Sequence, residues 1–446
     1  MAKDFRAEEL STKEKLKRVL AEWKESLPAE LVRREFDESY LKSGQILTIT
    51  GPRRAGKTYL CYQIIKNLMQ TIPDSNILYI NFEDERLAPF RGDELTVLLE
   101  AFAELSEPEK GHKLYVFIDE IQNVPNWGKW CRRVHETKMG IKLVITGSSS
   151  KLLSKELSTE LRGRALTKVV FPYSFAEFLE GKGIKPERKS VYHSEAKAKI
   201  RRAFKEYVEY GGFPRVLSEP PELKKQTLQG YYSTMFYKDI VERFNVRDTA
   251  LLETFLKVFV DNFASHISVT RLESKLKSMG LSPGKGTLAA YLSYARDIFL
   301  LFQVKMFSFK LTEQLRNPSK VYAVDTGLVN SVRFSFSEDY GRHLENLVFL
   351  ELMRRGHEVY YFKGSNECDF LVKDGNKVVQ AIQVTKALNS SNREREINGL
   401  AEAMEAHGLK EGLILTDDDY GEIRAGGAKI TVRPAWLWML ERQAPV

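Results

Sequence analysis

ILTITGPRRAGKTYLCYQIIKNLM, residues 46–69, passes from an apolar strand through a glycine-rich turn into an amphipathic helix. Its centre, Gly51-Pro52-Arg53-Arg54-Ala55-Gly56-Lys57-Thr58, fits the spacing GxxxxGK[ST]. Glycines let a backbone wrap around phosphates with its N–H groups pointing inward, and the following helix N-terminus favours negative charge. All eight residues are therefore read as nucleotide-binding. Lys57 is expected to reach the β- and γ-phosphates of ATP and Thr58 to ligate Mg²⁺. The bland alternative is a chance glycine-rich turn. A strand before and a helix after argue against it.

Working outward, apolar runs at 76–82, 114–119, 142–147 and 165–171 alternate with a helical pattern at 95–105. Strands alternating with helices imply an α/β fold with a mostly parallel sheet. LYVFIDE (114–120) puts Asp119 and Glu120 at a strand end, which in such a sheet faces the ligand crevice. Asp119 suits water-mediated Mg²⁺ binding, and Glu120 suits polarising the attacking water as general base. Ser148 follows the strand KLVITG and is placed for the γ-phosphate or that water, with Thr146 and Ser149 as alternatives. Leu161-Arg162-Gly163-Arg164 offers two guanidinium groups. Either Arg162 or Arg164 would stabilise phosphoryl charge, in cis or from a neighbouring subunit.

Beyond Pro172 the pattern turns helical through 174–244, interrupted at Gly211–Gly212 and Pro214. Two further helical patterns and an apolar stretch fill 249–311. Helix (344–355), strands (357–362, 368–373, 378–384), helix (393–407) and strand (412–416) then restore α/β character. Residues 5–35 read as one helix. Across 446 residues, 43% are apolar, yet no apolar run reaches the ~20 residues of a membrane helix. The charged N-terminus is not read as a secretory signal. Cys61, Cys131 and Cys368 lie far apart, so neither disulfides nor a zinc site is expected, and the cytoplasm is the expected compartment. The net charge of +8 is compatible with a polyanionic partner, although acidic and basic residues interleave.

GPRRAGKT, the strand ending in DEIQ, GSSSKLL and LRGR resemble the AAA+-type P-loop ATPases of bacteria and archaea, which carry an extra strand between the two motif strands. The resemblance continues through EYVEYGGFPRV (206–216), FYKDIVERFNVRD (236–248), KVYAVDTGL (320–328), HLENLVFLELMRRG (343–356) and ECDFLV (367–372). It implies four parts: a P-loop ATPase domain with an N-terminal helix (1–172), a helical lid (173–246), a winged-helix-like domain (247–330) and a restriction-endonuclease-like α/β domain of unknown function (331–446). Helices at 268–279 and 283–296 would form the helix-turn-helix, and 298–310 the β-wing. The second helix is rather apolar, with Lys285 and Arg296 as its main charges, so double-stranded DNA and a protein surface both remain open. Assembly into a homo-oligomer is also open.

A nuclease of the restriction type needs acidic ligands and a lysine. Glu345, Asp369 and Gln383-Val384-Thr385 fall at the corresponding places. Gln383 and Thr385 stand where the pattern has Glu and Lys, and Lys386 would point to the opposite strand face. A neutral amide holds a hard cation poorly. No DNA cleavage is expected. The function expected is that of a Mg²⁺-dependent ATPase acting as a switch or motor with DNA; the alternatives are an ATP-set assembly regulator and an ATP-coupled nuclease.

Overall fold

In a computed structural model, residues 11–90, 94–137, 140–148, 161, 163–186, 194–333, 339–425 and 427–441 are described. The chain forms two compact units that divide between Val170 and Phe171.

In the first unit, β1 (Ile46–Thr50), β2 (Ile77–Asn81), β3 (Leu114–Asp119), β4 (Ile141–Gly147) and β5 (Ala165–Val169) form one sheet in the order β2-β3-β4-β1-β5. Every pairing is parallel, and β4 lies between the two motif strands. All five residues of β1 are buried, as a central strand covered on both faces requires. Alternation divides the apolar residues between two cores. Leu47, Ile49, Phe117 and Val144 pack with α2 (Lys57–Leu68). Ile46, Val116, Ile118 and Ile145 pack with α1 (Thr12–Glu22), α3 (Leu95–Ser106) and α4 (Trp127–Glu136).

The single helix expected over 5–35 is not what forms. Among the described residues, α1 ends at Glu22, a short 3₁₀ turn follows, and 27–37 carries no helix. Pro28 pushes Leu27 to an extended ψ of 117°, which stops the helix.

The second unit opens with α5 (Phe175–Gly181), started by a Ser174–Glu177 capping box, and α6 (Ser194–Tyr210). The Gly211–Gly212 break is a tight crossing. Asp325 accepts from Gly212 N at 2.7 Å and Leu328 N at 2.9 Å, and a Cβ on Gly211 would lie 2.0 Å from that carboxylate. Then come α7 (Pro221–Thr234), a π-helical turn at Met235–Glu242, and α8 (Thr249–Asp261). Next, α9 (Val269–Ser278) and α10 (Lys285–Asp297) accompany an antiparallel sheet of β6 (Ser265–Ile267), β7 (Leu301–Val304) and β8 (Ser319–Ala323), ordered β6-β8-β7.

The stretch expected as a wing behaves differently. Only 301–304 is strand, and a helical turn, Leu311–Arg316, intervenes before β8. Residues 305–307 instead pair with Tyr361: Tyr361 N donates to Lys305 O (3.1 Å) and Phe307 N to Tyr361 O (2.8 Å). Phe307 gains ring contacts with Tyr360 and His407 there, at centroid separations of 5.4 and 4.8 Å.

A mixed sheet closes the unit. Its strands are β9 (Glu358–Lys363), β10 (Glu367–Asp374), β11 (Lys377–Val384), β12 (Glu411–Thr416), β13 (Gly421–Ala425) and β14 (Ala428–Pro434), ordered β13-β14-β12-β11-β10-β9. Helix α11 (Tyr340–Arg354) precedes it, and α12 (Arg393–His407) carries the parallel crossover from β11 to β12.

Candidate nucleotide site

Parallel pairing brings strand ends together. Thr50 is level with Gly147, and Asn81 with Asp119. The turn after β1 therefore shares one edge of the sheet with the ends of β3 and β4. Gly51 has φ +148°, and a Cβ there would meet Val170 O at 2.1 Å, so no side chain fits. Arg54 (φ 66°) and Gly56 (φ 97°) are left-handed. Such turns aim successive N–H groups into a concavity suited to anions. Ala55 is fully buried behind the turn, and its carbonyl accepts from the Arg34 guanidinium at 2.7 Å. Arg53 pairs with Glu83 at 3.0 Å.

The buried Lys57 ammonium donates to Gly51 O (3.3 Å) and Pro52 O (3.1 Å) and lies 3.9 Å from Glu120 Oε1. Thr58 Oγ1 donates to Asp119 Oδ2 at 2.6 Å. Tyr79 OH donates to the same oxygen at 2.9 Å, and Thr146 Oγ1 donates to Asp119 Oδ1. Thr146 also accepts from Glu120 N at 3.1 Å. Thr146, read from sequence as a substitute for Ser148, is thus committed to positioning both acidic residues. Tyr79 was not foreseen. Its position on the neighbouring strand is invisible without the pairing of β2 to β3. Burial and the Asp119 charge push its phenol up, so it stays a donor.

Glu120 is buried at a left-handed backbone position (φ 53°). Burial raises its carboxyl above the ordinary glutamate range, and the Lys57 ammonium partly opposes this. Gln122 Nε2 donates to its Oε2. Ser148 is buried one residue past β4, at this same edge.

The two arginines fare differently. Arg162 lies outside the described residues, as does Ser149. Arg164 precedes β5, its carbonyl accepts from Ile46 N at 2.8 Å, and its guanidinium pairs with Glu136 at 2.9 Å. That is the start of β1, roughly 16 Å along the strand from the turn at its other end, for a rise of ~3.3 Å per residue. A role for Arg164 on its own chain's phosphates is therefore corrected: the strand direction puts it at the wrong end.

Hard oxygen donors, Thr58 and Asp119, sit together beside a turn whose Gly51 leaves no room for a side chain. This suits Mg²⁺ held jointly by protein, phosphate and water. Among the described residues, no group of three or more His, Cys, Asp or Glu side chains is arranged to hold a metal ion. The expected C-terminal carboxylates do converge, but on a lysine. Lys320 Nζ lies 3.1 Å from Glu345 Oε1, 2.9 Å from Glu367 Oε1 and 2.7 Å from Asp369 Oδ1. Gln383 Oε1 accepts from Asp369 N (3.1 Å), and its amide donates to Glu396 (2.6 Å). Thr385 accepts from Asn392 at 3.1 Å. Among the described residues, no helix is long and apolar enough to cross a membrane.

A family model described as an AAA domain matches residues 43–179, and two domains of unknown function match 201–339 and 340–435. An uncharacterized protein of Haemophilus influenzae is 29% identical over 397 residues, covering 88% of this chain and 94% of that one. Among solved structures, the Walker-type ATPase of Pyrococcus abyssi is similar at TM-score 0.45 and 15% identity, covering 66% of this chain and 92% of its own. The Aeropyrum pernix Orc1 protein in complex with DNA is similar at TM-score 0.30 and 15% identity, covering 72% and 90%. Uncharacterized protein MJ1544 of Methanocaldococcus jannaschii is 36% identical over 424 residues. That identity spans 92% of both chains, so this protein, with its AAA domain at 43–179, belongs to the family of MJ1544.

Proposed function

We propose that the chain hydrolyses ATP with Mg²⁺ and works as a nucleotide-driven switch or motor. The observation that carries this reading is the convergence of Lys57, Thr58, Asp119 and Glu120 at one sheet edge. In this reading the turn Gly51–Thr58 cradles the phosphates. Lys57 exchanges its two carbonyl partners for phosphate oxygens. Thr58 and Asp119 hold the metal, which supplies charge neutralisation on the phosphates. Glu120, freed from Lys57 by that exchange, orients the attacking water. Ser148 stands at the next strand end for the γ-phosphate. Charge on the transferring phosphoryl is met by Arg164 of a neighbouring subunit, with Arg162 as the alternative. The assembly is then a homo-oligomer.

The remaining chain is read as a lid (173–246), a winged-helix-like module (247–330) and a restriction-endonuclease-like module (331–446). The order β6-β8-β7 with α9 and α10 supports the second of these. The basic balance supports DNA as the polyanion acted upon. A second reading, a protein-binding regulator, is favoured by one observation: residues 305–307 are paired with Tyr361 and are not free to enter a groove.

ATP turnover by the wild type and Glu120→Gln, with and without duplex DNA at two salt concentrations, tests the proposal. Turnover in the wild type alone supports the site. Stimulation by DNA that fades with salt supports the DNA reading, and indifference to DNA supports the regulator. A Glu120→Gln chain as active as wild type overturns the catalytic assignment.

A further inference from the structure

Lys320 opens the second residue of β8 and is 3% exposed. Its three N–H donors match three carboxylate oxygens: Glu345 from α11, and Glu367 and Asp369 from β10. The cluster is held from behind. Tyr322 OH donates to Glu345 Oε1 at 2.7 Å, and Val384 N donates to Asp369 Oδ2 at 2.9 Å. His266 Nε2 and Lys363 Nζ each stand 3.7 Å from Glu367 Oε2. Oxygens from separate elements converging on one buried point are what a hard divalent cation requires. Here that point is an ammonium, at 2.7–3.1 Å rather than the ~2.1 Å of a Mg²⁺ ligand.

We propose that Lys320 is a tethered cation. Strand β8 supplies, from within the chain, the positive charge that these carboxylates would otherwise take from a divalent metal. The cluster is thereby closed to metal and joins the three-stranded sheet to β10 and α11. Asp369 and Glu345, the acidic residues a nuclease would use, are spent on this lock. Gln383 is spent on the Asp369 backbone and Glu396. The oxygens converge on the lysine, and among the described residues no group of three or more His, Cys, Asp or Glu side chains is arranged to hold a metal ion as it stands.

The test is Mn²⁺ binding to the EDTA-stripped, nucleotide-free full chain, followed by loss of the aquo-ion electron paramagnetic resonance signal. Four chains are compared: wild type, Asp369→Asn, Lys320→Met and Lys320→Met/Asp369→Asn. Wild type and Asp369→Asn are expected to bind equally. Lys320→Met is expected to gain a bound Mn²⁺ that the double variant lacks. A wild-type Mn²⁺ lost in Asp369→Asn would overturn the proposal, because the carboxylates would then hold metal beside the lysine. So would a folded Lys320→Met chain, checked by circular dichroism, that gains none. Should Lys320→Met fail to fold, the wild type against Asp369→Asn still decides.

Discussion

The Thr58 hydroxyl and the Asp119 carboxylate meet at 2.6 Å although 61 positions separate them in sequence. The hydroxyl is at the first turn of α2 and the carboxylate at the last residue of β3. Thr58→Ala removes the proposed metal ligand and leaves Asp119 with its Tyr79 and Thr146 donors. The expected outcome is ATP turnover that needs much higher Mg²⁺, with Thr58→Ser close to wild type. A Mg²⁺ titration of turnover for the three proteins checks this. Equal Mg²⁺ dependence would remove Thr58 from the metal.

With Glu120 as the proposed general base, its carboxyl sets the acid limb of activity. A general base works only when ionised. Burial raises its carboxyl, so protonation, and with it loss of kcat/KM, sets in at a higher pH than for an exposed glutamate. Removing the cation that opposes this, by Lys57→Met, would move the limb further up as well as weakening phosphate binding. Glu120→Gln is expected to lower kcat by about 10²–10⁴ with ATP binding retained. A pH profile of kcat/KM, with binding measured separately, separates the two effects.

What the sequence discloses depends on how local the cause is. A strand, a glycine-rich turn and a helix follow one another in consecutive residues, so the turn at Gly51–Gly56 and the helix from Lys57 could be read directly. Asp119 and Glu120 follow from an apolar run that ends in two acids. Tyr79 and Thr146 reach Asp119 only through strand pairing, which a single sequence does not display. Lys320 looks like an ordinary polar strand start until β8 lies beside β10 and α11. Arg164 was read by motif proximity, and only the direction of β5 reveals that it stands at the far end of β1. The strand read across 298–310 is shorter, Leu301–Val304, because Phe307 finds its aromatic partners in β9 and α12, far along the chain.

Gly51 is expected to be intolerant on steric grounds. Gly51→Ala would drive a Cβ to 2.1 Å from the Val170 carbonyl at a φ of +148°. Backbone cannot yield as a flexible side chain can, so a loss of about 1–3 kcal/mol is expected. Thermal unfolding should show a lower Tm together with lost nucleotide binding. An unchanged Tm would mean the turn relaxes freely.

Glu345 should make stability fall as pH rises. Burial and the Asp369 charge raise its carboxyl to about 7, outweighing the Lys320 ammonium. In the unfolded chain it titrates near 4.5. Between these values the folded state binds the extra proton, so this contribution is complete below the lower value and is lost through the upper one. Denaturant midpoints from pH 5 to 8 should decline for the wild type relative to Glu345→Gln. A parallel pair of curves would contradict the raised carboxyl.

Arg164 yields a prediction about assembly. Its ion pair with Glu136 is partly exposed, so Arg164→Ala should change stability by less than about 1 kcal/mol. It stands far from its own turn, so a loss of turnover at unchanged stability points to another subunit. If it serves a neighbour, Arg164→Ala chains should hydrolyse ATP slowly at every concentration, and Glu120→Gln chains likewise. Mixing them creates interfaces where an intact Glu120 meets an intact Arg164. Turnover of the mixture should then exceed the sum of the two alone, and rise with protein concentration. Were Arg164→Ala inactive without such rescue, the arginine would be acting through its own chain's fold. Were it fully active, phosphoryl charge would have to be met elsewhere, with Arg162 the remaining arginine of that segment to test in the same mixing experiment.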